Sequence, residues 1–262
     1  MRLQVLSSGS EGNSTLIRAG EQAALVDAGL GREAMLARLE AGRLGPGAVR
    51  HVLVTHGHLD HARSAGLVAR RERATLHAAD LSLHHPWARR AKSCAALAIG
   101  RDQALPGAPS GDELVYRAVP LPHDCDPTVA FRLEHQGRVA VILTDVGRPD
   151  PDVARALSGA HVLVLEFNYD PGLLARGPYP ALLQRRIAGG RGHLSNAEGA
   201  RLLELLASAE LHTVIVAHVS KKTNRPELAR AAAAGTLERL GLAGRVRLLV
   251  ASQDEALESV EV

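Results

Sequence analysis

Two cysteines, Cys94 and Cys125, are the only thiols in 262 residues, too few for a disulfide framework or a four-cysteine zinc site. Any metal must therefore be held by other residue types. Aromatic residues are just as scarce, at 2% of the chain, which argues against gripping single strands of nucleic acid on stacking platforms. No apolar run approaches the roughly eighteen residues that a membrane span needs. Met1–Thr15 (MRLQVLSSGSEGNST) has no basic segment followed by an apolar one, so the expectation is a cytoplasmic protein without a membrane partner. Charge of neither sign dominates, with Lys+Arg 31 against Asp+Glu 28 and a net +3. What remains is an ordinary globular composition, 46% hydrophobic and 23% charged, with thirteen histidines. We expect one domain over residues 1–262; the oligomeric state is not legible.

Short apolar, β-branched runs alternate with helix-like segments, the pattern of an α/β fold with buried strands. Their ends are informative. Ala24-Leu25-Val26 runs into Asp27, Val52-Leu53-Val54-Thr55 into His56, Val141-Ile142-Leu143-Thr144 into Asp145, Val162-Leu163-Val164-Leu165 into Glu166, and Val214-Ile215-Val216-Ala217 into His218. Each delivers an acid or an imidazole to a strand's C-terminal edge, where open α/β sheets place their sites. Helices are predicted over 32–41, 62–73, 195–209 and 226–240, the third entered through a Ser195/Glu198 capping box. Thr128–Leu133 and Arg138–Leu143 flank a polar turn and read as a hairpin, so the sheet is mixed. Gly172–Gly192 reads as a flexible excursion over the site. Basic clusters such as Arg185, Arg186 and Arg191 can face a polyanion, although short runs of this kind are common on solvated surfaces.

The densest chemistry is His56-Gly57-His58-Leu59-Asp60-His61, three imidazoles and a carboxylate in six residues after a buried strand. Such donors suit zinc, manganese or iron. Alternation lets His56 and His58 face one ion while Asp60 and His61 reach a second. Asp145, His123 and His218, at loop or strand-end positions, can complete a two-ion site with a bridging carboxylate. Asp27 reads equally as a residue fixing a ligand imidazole or as a strand-end turn.

These residues resemble the HxHxDH signature of the metallo-β-lactamase fold. Pro122-His123-Asp124, Thr144-Asp145-Val146-Gly147 and Ala217-His218-Val219-Ser220 resemble its later ligand motifs in the same chain order. The resemblance runs from Leu6 to about Glu227 and implies an αββα sandwich of two mixed sheets flanked by helices. Within that fold the chain is most similar to the YycJ (WalJ) group of nucleases. The marks are Ser7-Ser8-Gly9-Ser10 with Gly12-Asn13-Ser14, Val26-Asp27-Ala28-Gly29, Glu166-Phe167-Asn168-Tyr169-Asp170, Gly192-His193-Leu194-Ser195-Asn196 and His218–Glu227 (HVSKKTNRPE). The resemblance implies His56, His58 and His123 on one divalent ion, Asp60, His61 and His218 on the other, and Asp145 as bridge. It also implies a 5′ to 3′ exonuclease on duplex DNA serving repair or replication. Two departures stand out: Tyr169, where the group more often has histidine, and Cys125, where a small residue is usual.

In this reading two manganese or zinc ions, with iron also compatible, activate water for attack on phosphorus. Asp60 both ligates and orients that water. His193, in a turn similar to that of ribonuclease Z, supplies the leaving group's proton, with Glu166 orienting it and holding it protonated. Ser8, Asn13, Ser195, Asn196, Ser220 and Lys221 offer hydroxyls, amides and a cation to phosphate oxygens. The alternative is a cyclic or small-molecule phosphodiesterase, or an RNA-processing hydrolase of the same fold, since the same ligands serve all of these.

Overall fold

The computed structural model describes residues 1–42, 47–125 and 127–262. Two seven-stranded mixed sheets organise the chain. The first contains β1 (Arg2–Ser7), β2 (Ser14–Ala19), β3 (Gln22–Val26), β4 (Val49–Leu53), β5 (Thr75–Ala78), β6 (Ser93–Ala96) and the final strand β14 (Val260–Glu261). Their order is β14-β1-β2-β3-β4-β5-β6, antiparallel up to β3 and parallel from there to β6. The second contains β7 (Asp102–Ala104), β8 (Val115–Leu121), β9 (Thr128–His135), β10 (Arg138–Leu143), β11 (Val162–Glu166), β12 (Thr213–Ala217) and β13 (Arg247–Val250), in the order β13-β12-β11-β10-β9-β8-β7. Strands β10 to β13 run parallel. Continuous apolar runs such as Val162–Leu165 are buried along their whole length, as parallel strands covered on both faces require.

The chain divides into two compact units. In the first (1–118, 133–138 and 252–262), α1 (Arg32–Ala41), α2 (Leu59–Ala62), α3 (Ala65–Glu72) and α4 (Asp80–Leu83) accompany the strands. Helix α3 lies on β4 and β5, closing a core built on Leu25, Met35, Val52, Val54, Val68 and Leu76. In the second (119–132 and 139–251), α5 (Pro151–Ala156), α6 (Pro171–Ala175), α7 (Ala181–Ile187), α8 (Asn196–Leu206) and α9 (Pro226–Arg239) follow their strands. There α8 and α9 pack on each other and on β11, β12 and β13, around Val141, Leu163, Phe167, Leu202, Val214 and Leu237. No helix among the described residues is long and apolar enough to cross a membrane.

Helix starts follow their caps. Ser195 and Glu198 form the expected reciprocal capping box, while Asp150 and Asp170 cap α5 and α6, each followed by proline at the first helical position. The helix predicted over 62–73 is broken before Ala65, because Ser64 donates its Oγ to Leu30 O at 2.7 Å and its backbone N–H to Ala28 O at 2.9 Å. Those two bonds turn the chain. The stretch 172–192, expected as a loop, contains most of α6 and all of α7.

His51 and His77 form a buried pair in the first unit, His51 Nδ1 lying 3.1 Å from His77 Nε2 and His51 Nε2 donating to Pro106 O. Burial, and then repulsion from His51, lowers His77 from 6.5 to about 4, and burial lowers His51 as well. A lowered imidazole binds fewer protons folded than unfolded. Its contribution to stability is therefore complete above pH 6.5 and falls as the pH drops toward 4. The slope reaches about 1.4 kcal/mol per pH unit for one proton. Urea denaturation between pH 7.5 and 5 should show this loss, and His77→Leu should flatten it; equal slopes would place the acid sensitivity elsewhere.

Candidate metal centre

In the first unit the chain leaves β4, passes Val54 and Thr55, and turns through His56-Gly57-His58 into α2, which carries Asp60 and His61. His56 Nε2 lies 3.0 Å from His58 Nδ1. His61 is fully buried, and its Nδ1–H donates to Asp27 Oδ2 at 2.7 Å. With that proton on Nδ1, Nε2 carries the lone pair, the arrangement of a metal-ligating histidine held by a carboxylate. Around that lone pair sit Asn13 Nδ2 at 2.9 Å and Asp60 Oδ2 at 3.5 Å. Asp27 also accepts from Thr55 N and Oγ1. Of the two roles open for Asp27 from sequence, the structure shows a carboxylate clamped on His61.

The ligand loop hangs on backbone. Asn13 N donates to Asp60 O at 2.7 Å, Ala28 N to His61 O at 2.8 Å and Gly29 N to Asn13 O at 3.0 Å. A Cβ on Gly29 would lie 1.6 Å from Asp60 O. Backbone cannot move aside as a side chain can, so Gly29→Ala is expected to displace the loop, lower bound metal and cost about 1–3 kcal/mol in stability. Elemental analysis and denaturation would check this; unchanged metal content would show that the loop tolerates the shift.

In the second unit His123, Asp145, Glu166, His193 and His218 converge. Asp145 and His218, like Asp27 in the first unit, follow buried strands with positive φ, 60° and 54°. That conformation is uncommon outside glycine and clusters at functional sites. His123 Nδ1 donates to Gly192 O at 3.0 Å, again directing Nε2 as the lone-pair nitrogen. His123 Nε2 lies 3.7 Å from Asp145 Oδ1, and His218 Nε2 lies 3.8 Å from Asp145 Oδ2. These separations exceed hydrogen bonds and suit donors sharing an ion, since bonds of about 2.1 Å in tetrahedral geometry put ligand atoms about 3.4 Å apart. Asp145, His193 and His218 offer donor atoms all within 4.8 Å of one another, so the residues present fit a metal.

Asn168 steadies His218, its Nδ2 donating to His218 O and lying 2.9 Å from Nδ1. Glu166 is completely buried and accepts from His193 Nδ1 at 2.9 Å, with Val146 N at 2.9 Å on its other oxygen. His193, partly exposed, stacks on His218 at 5.2 Å. Its proximity to the Asp145–His218 donors was not visible in the spacing of the sequence.

The residues expected to meet phosphate are placed variously. Asn13 accepts from Gly9 N and donates to Gly9 O; Ser195 caps α8; Asn196 pairs with Asn224; and Ser220 Oγ accepts from Thr223 N and Oγ1. Ser8 is buried beside Asn13. Lys221 is exposed. Burial, then the Glu198 carboxylate, pushes the Tyr169 phenol up to about 12, so it remains protonated at neutral pH. Gln253, which ties Ser7 and Gly12 together, and the Gly192 carbonyl on His123 were missed in the sequence because both act across long stretches of chain.

The model of the Metallo-beta-lactamase superfamily matches residues 8–174. Exodeoxyribonuclease YycJ of Bacillus anthracis is 28% identical over 245 residues, covering 92% of this chain and 90% of the relative. Exodeoxyribonuclease WalJ of Streptococcus pneumoniae is 26% identical over 267 residues, covering 100% and 98%. Among solved structures, the metallo-beta-lactamase fold protein YhfI from Bacillus subtilis superposes with a TM-score of 0.70 at 16% identity, over 98% of each chain. The chain belongs to the metallo-beta-lactamase superfamily of metal-dependent hydrolases.

Proposed function

We propose that this member of the metallo-beta-lactamase superfamily is a phosphodiesterase holding two divalent ions, manganese or zinc with iron also compatible, that degrades duplex DNA from 5′ ends in repair or replication. The observation that carries it is the fixing of His61 and His123 through Nδ1, by Asp27 and by the Gly192 carbonyl, which turns each Nε2 toward a carboxylate, as a metal-ligating histidine would be held. The DNA substrate is supported by two relatives named exodeoxyribonucleases that align over nearly the whole chain.

In this reading the chain acts as one domain. His56, His58 and His123 would hold one ion, Asp60, His61 and His218 the other, and Asp145 would reach both. When bound, the ions supply Lewis acidity toward a phosphodiester and acidify water toward neutral pH. Asp60 orients the attacking water. Glu166 fixes the His193 ring through Nδ1, so Nε2 is the atom that hands a proton to the departing oxygen. Lys221 faces phosphate, while Ser8, Asn13, Ser195, Asn196 and Ser220 shape the loops whose backbone amides meet the strand.

The test is digestion of a linear duplex labelled separately at each 5′ and 3′ end, using metal-stripped protein supplied with manganese, zinc or chelator. Mononucleotides released progressively from 5′ ends with metal and not with chelator are expected. Intact DNA alongside turnover of bis-p-nitrophenyl phosphate would move the substrate to RNA or a small phosphodiester.

A further inference from the structure

One pocket of the second unit brings Arg148 together with the sequence cluster Arg185, Arg186 and Arg191. Arg148, Arg185, Arg186 and Arg191 line a cavity of about 360 Å³ together with Asp124 and the glycine turn 189–192. All four arginines are exposed. Arg186 pairs with Asp124, the single carboxylate of the lining, and Arg191 Nε donates to His123 O at 2.9 Å. Arg148 and Arg185 have no ion pair among the described residues, so the lining carries four cations against one carboxylate. Such a cluster repels itself, and an anion that enters relieves the repulsion.

The walls are backbone at close approach. A Cβ on Gly147 would lie 2.3 Å from Gly190 O, and one on Gly192 would lie 2.2 Å from Arg186 O. Gly147 N and Gly192 N are themselves tied to Pro122 O and Gly189 O, each at 2.7 Å. The backbone of this turn is therefore held in place. Arginine presents a planar fork of donors that matches phosphate oxygens in pairs. The turn that lines the pocket also holds His123 through Gly192 O, and Arg191 holds it through the His123 carbonyl. Anything bound in the pocket thus sits beside that histidine.

We propose that this pocket binds a phosphate of the nucleic-acid strand adjacent to the phosphate being cleaved, and so sets the strand's position along the site. The inference rests on the phosphodiesterase reading above. Its test is the double variant Arg148→Ala/Arg185→Ala, which removes two cations without breaking an ion pair of the described residues. Binding of a fluorescent duplex carrying phosphorothioate linkages is followed by anisotropy against salt, with manganese-loaded protein, so that affinity is read apart from cleavage. The variant should bind more weakly, and the slope of log affinity against log salt should shrink by about one, for the single phosphate that the pocket no longer neutralises. The double variant Arg201→Ala/Arg230→Ala, at exposed positions of α8 and α9, serves as the charge-matched comparison and should change the slope less.

Repeating the titration with 5′-phosphate and 5′-hydroxyl duplexes separates the two sources of the phosphate. A variant effect seen only with the 5′-phosphate assigns the pocket to the terminal monoester, and an equal effect with both assigns it to a backbone diester. An unchanged slope in a protein that still degrades DNA overturns the pocket and leaves the proposed function standing. Failure of the unsubstituted protein to bind either duplex overturns both, and hydrolysis of bis-p-nitrophenyl phosphate would then show that only the substrate assignment has failed.

Discussion

Replacing Asp145 by alanine is expected to lower metal-dependent phosphodiester hydrolysis by at least about a thousandfold, since an ion's stabilisation of developing charge is worth several kcal/mol. The reason lies in the second unit. Both Asp145 oxygens face imidazole nitrogens, His123 Nε2 at 3.7 Å and His218 Nε2 at 3.8 Å, and Asp145 is buried. Without the carboxylate, two buried histidines lose the anionic donor between them, and no solvent molecule restores its charge. Metal content by elemental analysis should fall together with activity. Circular dichroism should remain that of the folded protein, because the Asp145 backbone keeps its place after β10. Full activity at full metal content would remove Asp145 from the ligand set.

His193→Ala is expected to leave the metal in place and to slow DNA cleavage by about 10²–10⁴-fold, the usual worth of a positioned general acid. The leaving group provides the discriminating readout. A nucleoside alkoxide needs a proton to depart, whereas p-nitrophenolate leaves readily without one. The loss should therefore be much larger with DNA than with bis-p-nitrophenyl phosphate. Glu166→Gln keeps the shape and removes the charge that holds His193 Nδ1 at 2.9 Å, so it should reproduce part of the effect and shift the pH profile of kcat. A drop in bound metal in His193→Ala would instead make His193 a ligand, in keeping with the Asp145–His193–His218 donors lying within 4.8 Å.

Much of this architecture is readable from short-range pattern. Strands β3, β10, β11 and β12 lie where apolar runs end in an acid or a histidine, α1 spans Arg32–Ala41 as its leucine and alanine spacing predicts, and the Ser195/Glu198 capping box opens α8. Departures from expectation have local causes of long range. The 62–73 helix breaks because Ser64 bonds to residues more than thirty positions away, at Leu30 O and Ala28 O. The stretch 172–192 is rich in glycine and proline, which reads as loop, yet Asp170 with Pro171 starts α6 and the Ala181–Ile187 stretch forms α7.

By itself the sequence determined where the candidate ligands lie: a histidine-rich loop after one strand, and single acids or imidazoles after four others, because residues within a few positions of a strand end are placed by local geometry. It did not determine what holds them. Asp27 on His61, Asn168 on His218, Gly192 O on His123, Glu166 on His193, the Gly29 approach to Asp60 and the meeting of Arg148 with the Arg185–Arg191 cluster span distances along the chain that no local pattern encodes. Those pairings exist only once packing has brought the elements within each unit together, because hydrogen bonds and charge act over a few ångströms of space and are indifferent to separation in sequence.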